Sequence, residues 1–124
     1  MADLNSICIV GNIAKDIVLK KTQSGRDVAN VVVACNRRKD SSGNEKTDFI
    51  NVEVWNSSAK YLADYAKKGT KISVHGSLRI DSWQDGTVWN NKSYILSDSV
   101  NILTNGRTNT SSEATDISDD ALPF

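Results

Sequence analysis

One short stretch of this chain has a helical rhythm, and almost everything around it alternates like strand. Ala59, Leu62, Ala63 and Ala66 fall at i, i+3, i+4 and i+7 and make a single apolar stripe. Asn56, Ser57 or Ser58 is placed to cap that helix, Lys67 and Lys68 suit its negative end, and Gly69 suits a left-handed C-cap. Three β-patterned segments precede it. Leu4 to Ile13 alternates, with Ile17 to Lys21 continuing it after a kink; Val28 to Asn36 is rich in valine; Thr47 to Trp55 alternates again. Two more segments follow. Lys71 to Ile80 is expected to turn Ile72, Val74, Leu78 and Ile80 inward and Lys71, Ser73, His75, Ser77 and Arg79 outward. Lys92 to Leu103 is expected to hold Tyr94, Leu96, Val100 and Ile102 on one face. Ser24-Gly25, the polar stretch Arg37 to Lys46, and Asp85-Gly86 punctuate the pattern as turns and a loop. Three strands, a helix and two strands is the element order of the five-stranded OB barrel. A sandwich does not need the helix, and a parallel sheet needs more of them. The predicted fold class is therefore all-β with one helix, an OB barrel spanning residues 1–105.

A chain of 124 residues, 39% hydrophobic and 24% charged, is the size of one ordinary globular domain. No run approaches the ~20 apolar residues of a membrane span, and no basic segment followed by an apolar run opens the chain. A cytoplasmic protein without membrane partners is expected. Cys8 and Cys35 sit among small apolar residues and are expected to be buried thiols in a reducing compartment. The single histidine, His75, lacks a nucleophile or carboxylate partner in the pattern, so no catalytic residue, metal or cofactor is expected.

Charge is unevenly spread although its sum is zero. Residues 1–105 hold 14 Lys and Arg against 11 Asp and Glu, whereas residues 106–124 hold Arg107 against Glu113, Asp116, Asp119 and Asp120. Such asymmetry marks interaction tails. From 106 onward the chain is Thr, Ser and Asn, then acidic, with only Ile117, Leu122 and Phe124 large and apolar. Too little surface is available there to offset chain entropy, and a disordered tail is predicted.

The third strand carries the chemistry. Ile50, Val52 and Val54 form a uniformly apolar face; Phe49, Asn51, Glu53 and Trp55 share the other. Phe49 and Trp55 are six residues apart, roughly 20 Å at a strand rise of ~3.3 Å. Large rings on a polar strand face suit stacked bases, which need no particular sequence because every base has a π-face. Covering a barrel end or a subunit contact is the alternative use. Trp83 and Trp89 flank the hairpin turn; a two-residue turn sends them to opposite faces, a bulge to the same one. Trp83 is assigned to base stacking, and Trp89 is a candidate for stacking or for merely holding the hairpin together. Arg26, Arg37, Arg38, Lys39 and Lys46 near strand ends, with Lys71 and Arg79 on the fourth strand, are candidates for phosphate contacts.

These blocks together resemble the bacterial and bacteriophage single-stranded DNA-binding protein family. The likeness runs through Ile7-Cys8-Ile9-Val10-Gly11-Asn12 with Lys15-Asp16, Thr22-Gln23-Ser24-Gly25, and Val33-Ala34-Cys35-Asn36-Arg37. It continues through Thr47-Asp48-Phe49-Ile50-Asn51 to Trp55, Tyr65-Ala66-Lys67-Lys68-Gly69, and Gly76-Ser77-Leu78-Arg79. The resemblance implies stacking of single-stranded DNA on Phe49, Trp55 and Trp83, a homotetramer, and a role coating DNA in replication, recombination and repair. Many members of the family have a further aromatic where Arg38 and Lys39 stand here, which implies one stacking site fewer and a greater share for charge. The resemblance also makes Asp119, Asp120, Ala121, Leu122, Pro123 and Phe124 a tip that recruits other DNA-processing proteins. Phe124 offers a ring and a carboxylate to a pocket, and Asp119 and Asp120 draw a basic rim. Ala121 replaces an acidic residue of the family's tip, and the tail lacks a long Gly/Gln-rich linker. Two other classes are weighed. An enzyme built on the same barrel needs a carboxylate cluster, a Cys/His set or a phosphate loop, and none stands out. An OB-fold module for protein or RNA, such as a primosomal accessory protein, has no need of an acidic Leu-Pro-Phe end.

Overall fold

Alternating valines set the barrel wall. In the computed structural model, which describes residues 2–104, β3 (Asp27–Asn36) buries Ala29, Val31 and Val33, and β4 (Thr47–Trp55) buries Val52 and Val54. The antiparallel ladder pairs Val31 with Val52 and Ala29 with Val54, so the two inward rows meet edge to edge. The other elements are β1 (Ile7–Ile13), β2 (Val18–Lys21), α1 (Asn56–Tyr65), β5 (Lys71–Asp85) and β6 (Val88–Thr104). Their hydrogen-bonded order is β1-β5-β6-β4-β3-β2, and β1 also pairs with β3 through Asn12–Ala34 and Ile13–Val33. That last pairing closes the circuit. Along the same edge of β3, β2 takes over from β1, pairing Val18 with Asn30 and Lys21 with Asp27. The two therefore act as one strand kinked between them, and the sheet is the five-stranded OB barrel that the pattern predicts. Gly11 lies where β1 crosses β3; a Cβ there would collide with the Ala34 carbonyl oxygen.

Helix α1 closes one end of the barrel. Ala59 and Leu62 are fully buried, and the helix packs mainly against β3 and β4. Its start differs from the expected Ser or Asn cap. Trp55, the last residue of β4, occupies the cap position without a capping hydrogen bond from its side chain, and Asn56 turns the corner with φ 59°. Asn tolerates that left-handed geometry better than most residues. The end differs too. Ala66 is the C-cap in extended backbone, so Lys67 and Lys68 lie beyond the last turn, and Gly69 (φ 95°) serves a separate turn. There Thr70, buried, accepts the Lys67 N–H at its hydroxyl, while the Ile13 carbonyl accepts the Gly69 N–H. This turn ties the helix exit to β1.

Burial along β5 and β6 departs from simple alternation in two ways. Ile72 and Val74 are buried as expected, but Leu78 and Ile80 are 43% and 63% exposed. Both strands run past the barrel as a projecting hairpin, and among the described residues no element buries that part of the inward row. On β6, His75 pairs with Ser99 while Gly76 pairs with Ser97, leaving Asp98 as a bulge residue. One extra residue reverses the faces, so Ile95 and Val100 both point inward although five apart, and Tyr94 and Leu96 turn outward. A Cβ on Gly76 would overlap the Leu96 carbonyl oxygen across this bulge. At the N-terminal end, β1 starts at Ile7 rather than Leu4, and Leu4 is exposed. The Asn5 side chain nevertheless extends the pairing, donating to the Leu78 carbonyl and accepting the Leu78 N–H, both at 2.9 Å. Both cysteines are free thiols. Cys8 is exposed on the outer face of β1, against expectation, and Cys35 is half-buried, with burial pushing its thiol up.

Candidate nucleic-acid interface

The outer face of β4 is open, as its polar row requires. Phe49 is 66% exposed, Asn51 is exposed, and Glu53 and Trp55 are half-buried. The parallel pairs Val52–Ile95 and Glu53–Leu96 fix how this face continues onto β6, whose outward row is Asn90, Lys92, Tyr94 and Leu96. Across the next ladder, Arg79 pairs with Tyr94, Asp81 with Lys92 and Trp83 with Asn90. Phe49, Trp55, Tyr94 and Trp83 consequently stand on one continuous sheet face that spans β4, β6 and β5. The pattern puts Tyr94 on the same face as Val100 and Ile102, whereas the structure puts it on the opposite one. The bulge at Asp98 that moves it has no signal in the residue pattern, so sequence reasoning missed it.

Each ring has a distinct setting. The Trp55 indole N–H donates to Glu53 Oε1 at 2.8 Å, and the Arg26 guanidinium carbon lies 4.5 Å from the indole centroid, in cation–π contact. Glu53 thus orients the ring and Arg26 covers one side of it. The Lys92 Nζ approaches the Tyr94 ring to 5.4 Å, and burial together with the charges of Asp81 and Glu53 pushes the Tyr94 phenol up. It remains a neutral donor at physiological pH. Trp83 is 47% exposed and Trp89 65%. The hairpin turn is Gly86-Thr87, one residue later than expected, because Asp85 pairs with Val88. Trp83 therefore pairs with Asn90 and Trp89 with Gln84, which sends the two indoles to opposite faces. Trp89 lies on the side of Ile80 and Leu78, away from Phe49 and Trp55.

The basic candidates divide into groups. Arg26 sits at the Trp55 end of the face, in the turn before β3, where Thr22 accepts the Arg26 N–H at its hydroxyl. Arg37, Arg38 and Lys46 line a cleft of about 240 Å³ in the β3–β4 loop with Asp40 and Asn44. Asp40 organises that loop by accepting the Ser42 and Asn44 N–H groups at 2.9 Å each, contacts that hold its carboxyl below the usual range. Arg37 is already engaged, with Nε and Nη2 donating to the two Asp48 carboxylate oxygens at 3.0 and 2.9 Å. The Arg37 hydrogen bond holds Asp48 low as well. Lys39 lies 3.5 Å from Glu45. Among the described residues Arg38, Lys46, Lys71 and Arg79 form no ion pair. Arg79 is on the ring-bearing face beside Tyr94. Lys71 is not beside Trp83: it is twelve residues away along β5, roughly 40 Å. Through Asn12 and Ala34 it belongs instead to the Phe49 end, round the barrel.

His75 lies 3.9 Å from Asp98 and 2.8 Å from the Ser6 hydroxyl. Among the described residues no group of three or more His, Cys, Asp or Glu is placed to hold a metal, and no helix is long and apolar enough to cross a membrane. The tip Asp119 to Phe124 and the boundary at 105–106 lie outside the described residues.

An OB barrel that opens a row of rings and cations along one sheet face belongs to a class whose surface is chemically suited to flat, anionic ligands such as nucleic acids. Residues 4–103 match the Single-strand binding protein family, and the chain belongs to that family. Among its relatives, the Single-stranded DNA-binding protein 1 of Synechocystis sp. is 39% identical over 82 residues, covering 66% of this chain and 67% of that protein. The Single-stranded DNA-binding protein 3 of Streptococcus agalactiae is 33% identical over 137 aligned positions, covering 98% and 99% respectively. The Single-stranded DNA-binding protein of Helicobacter hepaticus is 37% identical over 84 residues, and the match spans 49% of its length.

Proposed function

We propose that this protein coats single-stranded DNA without strong sequence preference, laying bases on Phe49, Trp55 and Trp83. The observation that carries the reading is the placement of these rings on one solvent-open face, continuous across three strands. Bases stack there by their π-faces, which all four share. A base that lands on the Arg26 side of Trp55 displaces the guanidinium, which then reaches a phosphate. Arg38, Lys46 and Arg79, without carboxylate partners, meet the backbone directly; Arg37 and Lys39 must first leave Asp48 and Glu45. Lys71 takes a strand that continues round the barrel from Phe49.

Family membership supports the rest of the reading: protection of single strands in replication, recombination and repair, by a cytoplasmic homotetramer. The boundary after residue 105 separates the binding domain from an acidic segment, and Asp119 to Phe124 recruit partner proteins by an apolar anchor within negative charge. Two measurements test this. Oligo-dT should quench the tryptophan fluorescence, and Trp55→Ala should weaken binding by roughly 1–3 kcal/mol; an unchanged affinity removes Trp55 from the site. Deleting Asp119 to Phe124 should leave oligo-dT affinity equal or higher while abolishing capture of helicases or recombination proteins, and loss of DNA binding instead would contradict the assigned role.

A further inference from the structure

Only two residue pairs, Val52–Ile95 and Glu53–Leu96, join β4 to β6. Toward the N-terminal ends of both strands the ladder stops and a slot of about 290 Å³ opens between them. Phe49, Ile50 and Asn51 form one wall; Ser93, Tyr94 and Ile95 form the other. Ile7 and Leu78 complete the lining from the inward rows of β1 and β5, and Leu78 is 43% exposed into this space. The volume is at the small end of the ~300–1,000 Å³ usual for small-ligand sites. Phe49 and Tyr94 belong to the outer, ring-bearing face, so the mouth of the slot is part of the surface already assigned to the DNA strand.

We propose that this slot takes one nucleobase, turned edge-first out of the stacked row and inserted between β4 and β6. The proposal rests on the single-strand-binding reading given above. A base matches the lining: its flat faces meet apolar side chains, and its polar edge meets the Asn51 amide and the Ser93 hydroxyl, both on exposed residues. The main-chain edges of the two strands face each other there with no ladder between them, which adds donors and acceptors. Arg79, paired with Tyr94, and Lys92, 5.4 Å from its ring, stand where the phosphates of the inserted nucleotide pass. Rings on the open face tolerate any base; a slot with fixed hydrogen-bonding groups does not. One nucleotide in each bound stretch is therefore read by its edge.

Methyl NMR on the full-length protein tests the proposal. On adding oligo-dT, the methyl signals of Ile7, Ile50, Leu78 and Ile95 should shift together with the indole N–H signals of Trp55 and Trp83. Tyr94→Leu should lower oligo-dT affinity by about 5-fold or more and remove the response of the Leu78 and Ile95 methyls; unchanged dispersion of the core Val31 and Val33 methyls shows that the variant is folded. Movement of the indoles with silent slot methyls overturns the inserted base and leaves the DNA reading standing. Silence of both overturns the DNA reading itself. Slot methyls that respond to protein concentration, and not to oligo-dT, make the slot a contact between copies and overturn the proposal.

Discussion

β5 and β6 are one hairpin with two lives. Near the barrel its inward row, Ile72 and Val74 against Ile102 and Val100, lies in or against the core. Past Ser77 every residue of β5 is exposed, including Leu78 and Ile80 on that same row. The residue pattern is equally apolar in both halves. What differs is coverage: β1, β4 and α1 lie over the first half, whereas among the described residues no strand or helix packs over the second beyond Leu78. Alternation fixes which side chains share a face, whereas burial depends on what the rest of the chain brings to that face. The projecting half also bears Trp83 and Trp89. Its rings and aliphatics are available to something outside the fold.

The sharpest way to break this contrast is to truncate both halves. Ile72→Ala, at a fully buried position, should cost about 2–5 kcal/mol of unfolding free energy in urea titration. Ile80→Ala, on the same row, should stay within about 0.5 kcal/mol. A large loss at Ile80 would mean that the projecting half is covered in solution, and the contrast would collapse. Gly76→Ala probes the junction. Its Cβ overlaps the Leu96 carbonyl oxygen, so the bulge must open, at about 1–3 kcal/mol. Because the bulge also sets the outward facing of Tyr94, oligo-dT affinity should fall with it.

The two indoles divide the projecting half again. Trp83→Ala should lower oligo-dT binding by roughly 1–3 kcal/mol with little change in urea midpoint. Trp89→Ala should lose less than half as much, since its indole faces away from Phe49 and Trp55. Equal losses, measured in one titration series, would show that the strand winds round both faces of the hairpin.

Much of this was legible in the residues, and the failures have physical causes. The split of β4 into Ile50, Val52 and Val54 against Phe49, Asn51, Glu53 and Trp55 needs only strand periodicity, and it holds. The helix stripe is equally local, and Ala59 and Leu62 are buried as it requires. Tyr94 failed because a bulge depends on the partner strand's register, here forced by Gly76 packing on Leu96. Leu78 and Ile80 failed because an apolar residue does not announce whether a neighbour covers it. The helix cap failed because Asn56 supplies a backbone bend in place of a side-chain bond. Charge pairing was also hidden: nothing in a list of cations says that Arg37 is held by Asp48 and Arg38 is not.

That last difference repeats the contrast on the neighbouring hairpin, where the root of the β3–β4 loop is braced and its tip is open. The Arg37 guanidinium grips both oxygens of Asp48, and this hydrogen bonding holds the Asp48 carboxyl below the ordinary Asp value of about 3.9. A depressed carboxylate stabilises the fold above its unfolded value and loses that contribution only as pH falls through the lower folded one. The brace therefore stays intact from pH 8 to pH 5. Asp48→Asn should release Arg37 to the DNA backbone, raising oligo-dT affinity and steepening the log–log salt dependence by about 0.7, the increment for one added phosphate contact on a single strand. The difference between variant and parent should be flat across pH 8 to 5. A difference that has already halved by about pH 3.9 would show that Asp48 titrates at the ordinary Asp value and that Arg37 was never held back from DNA.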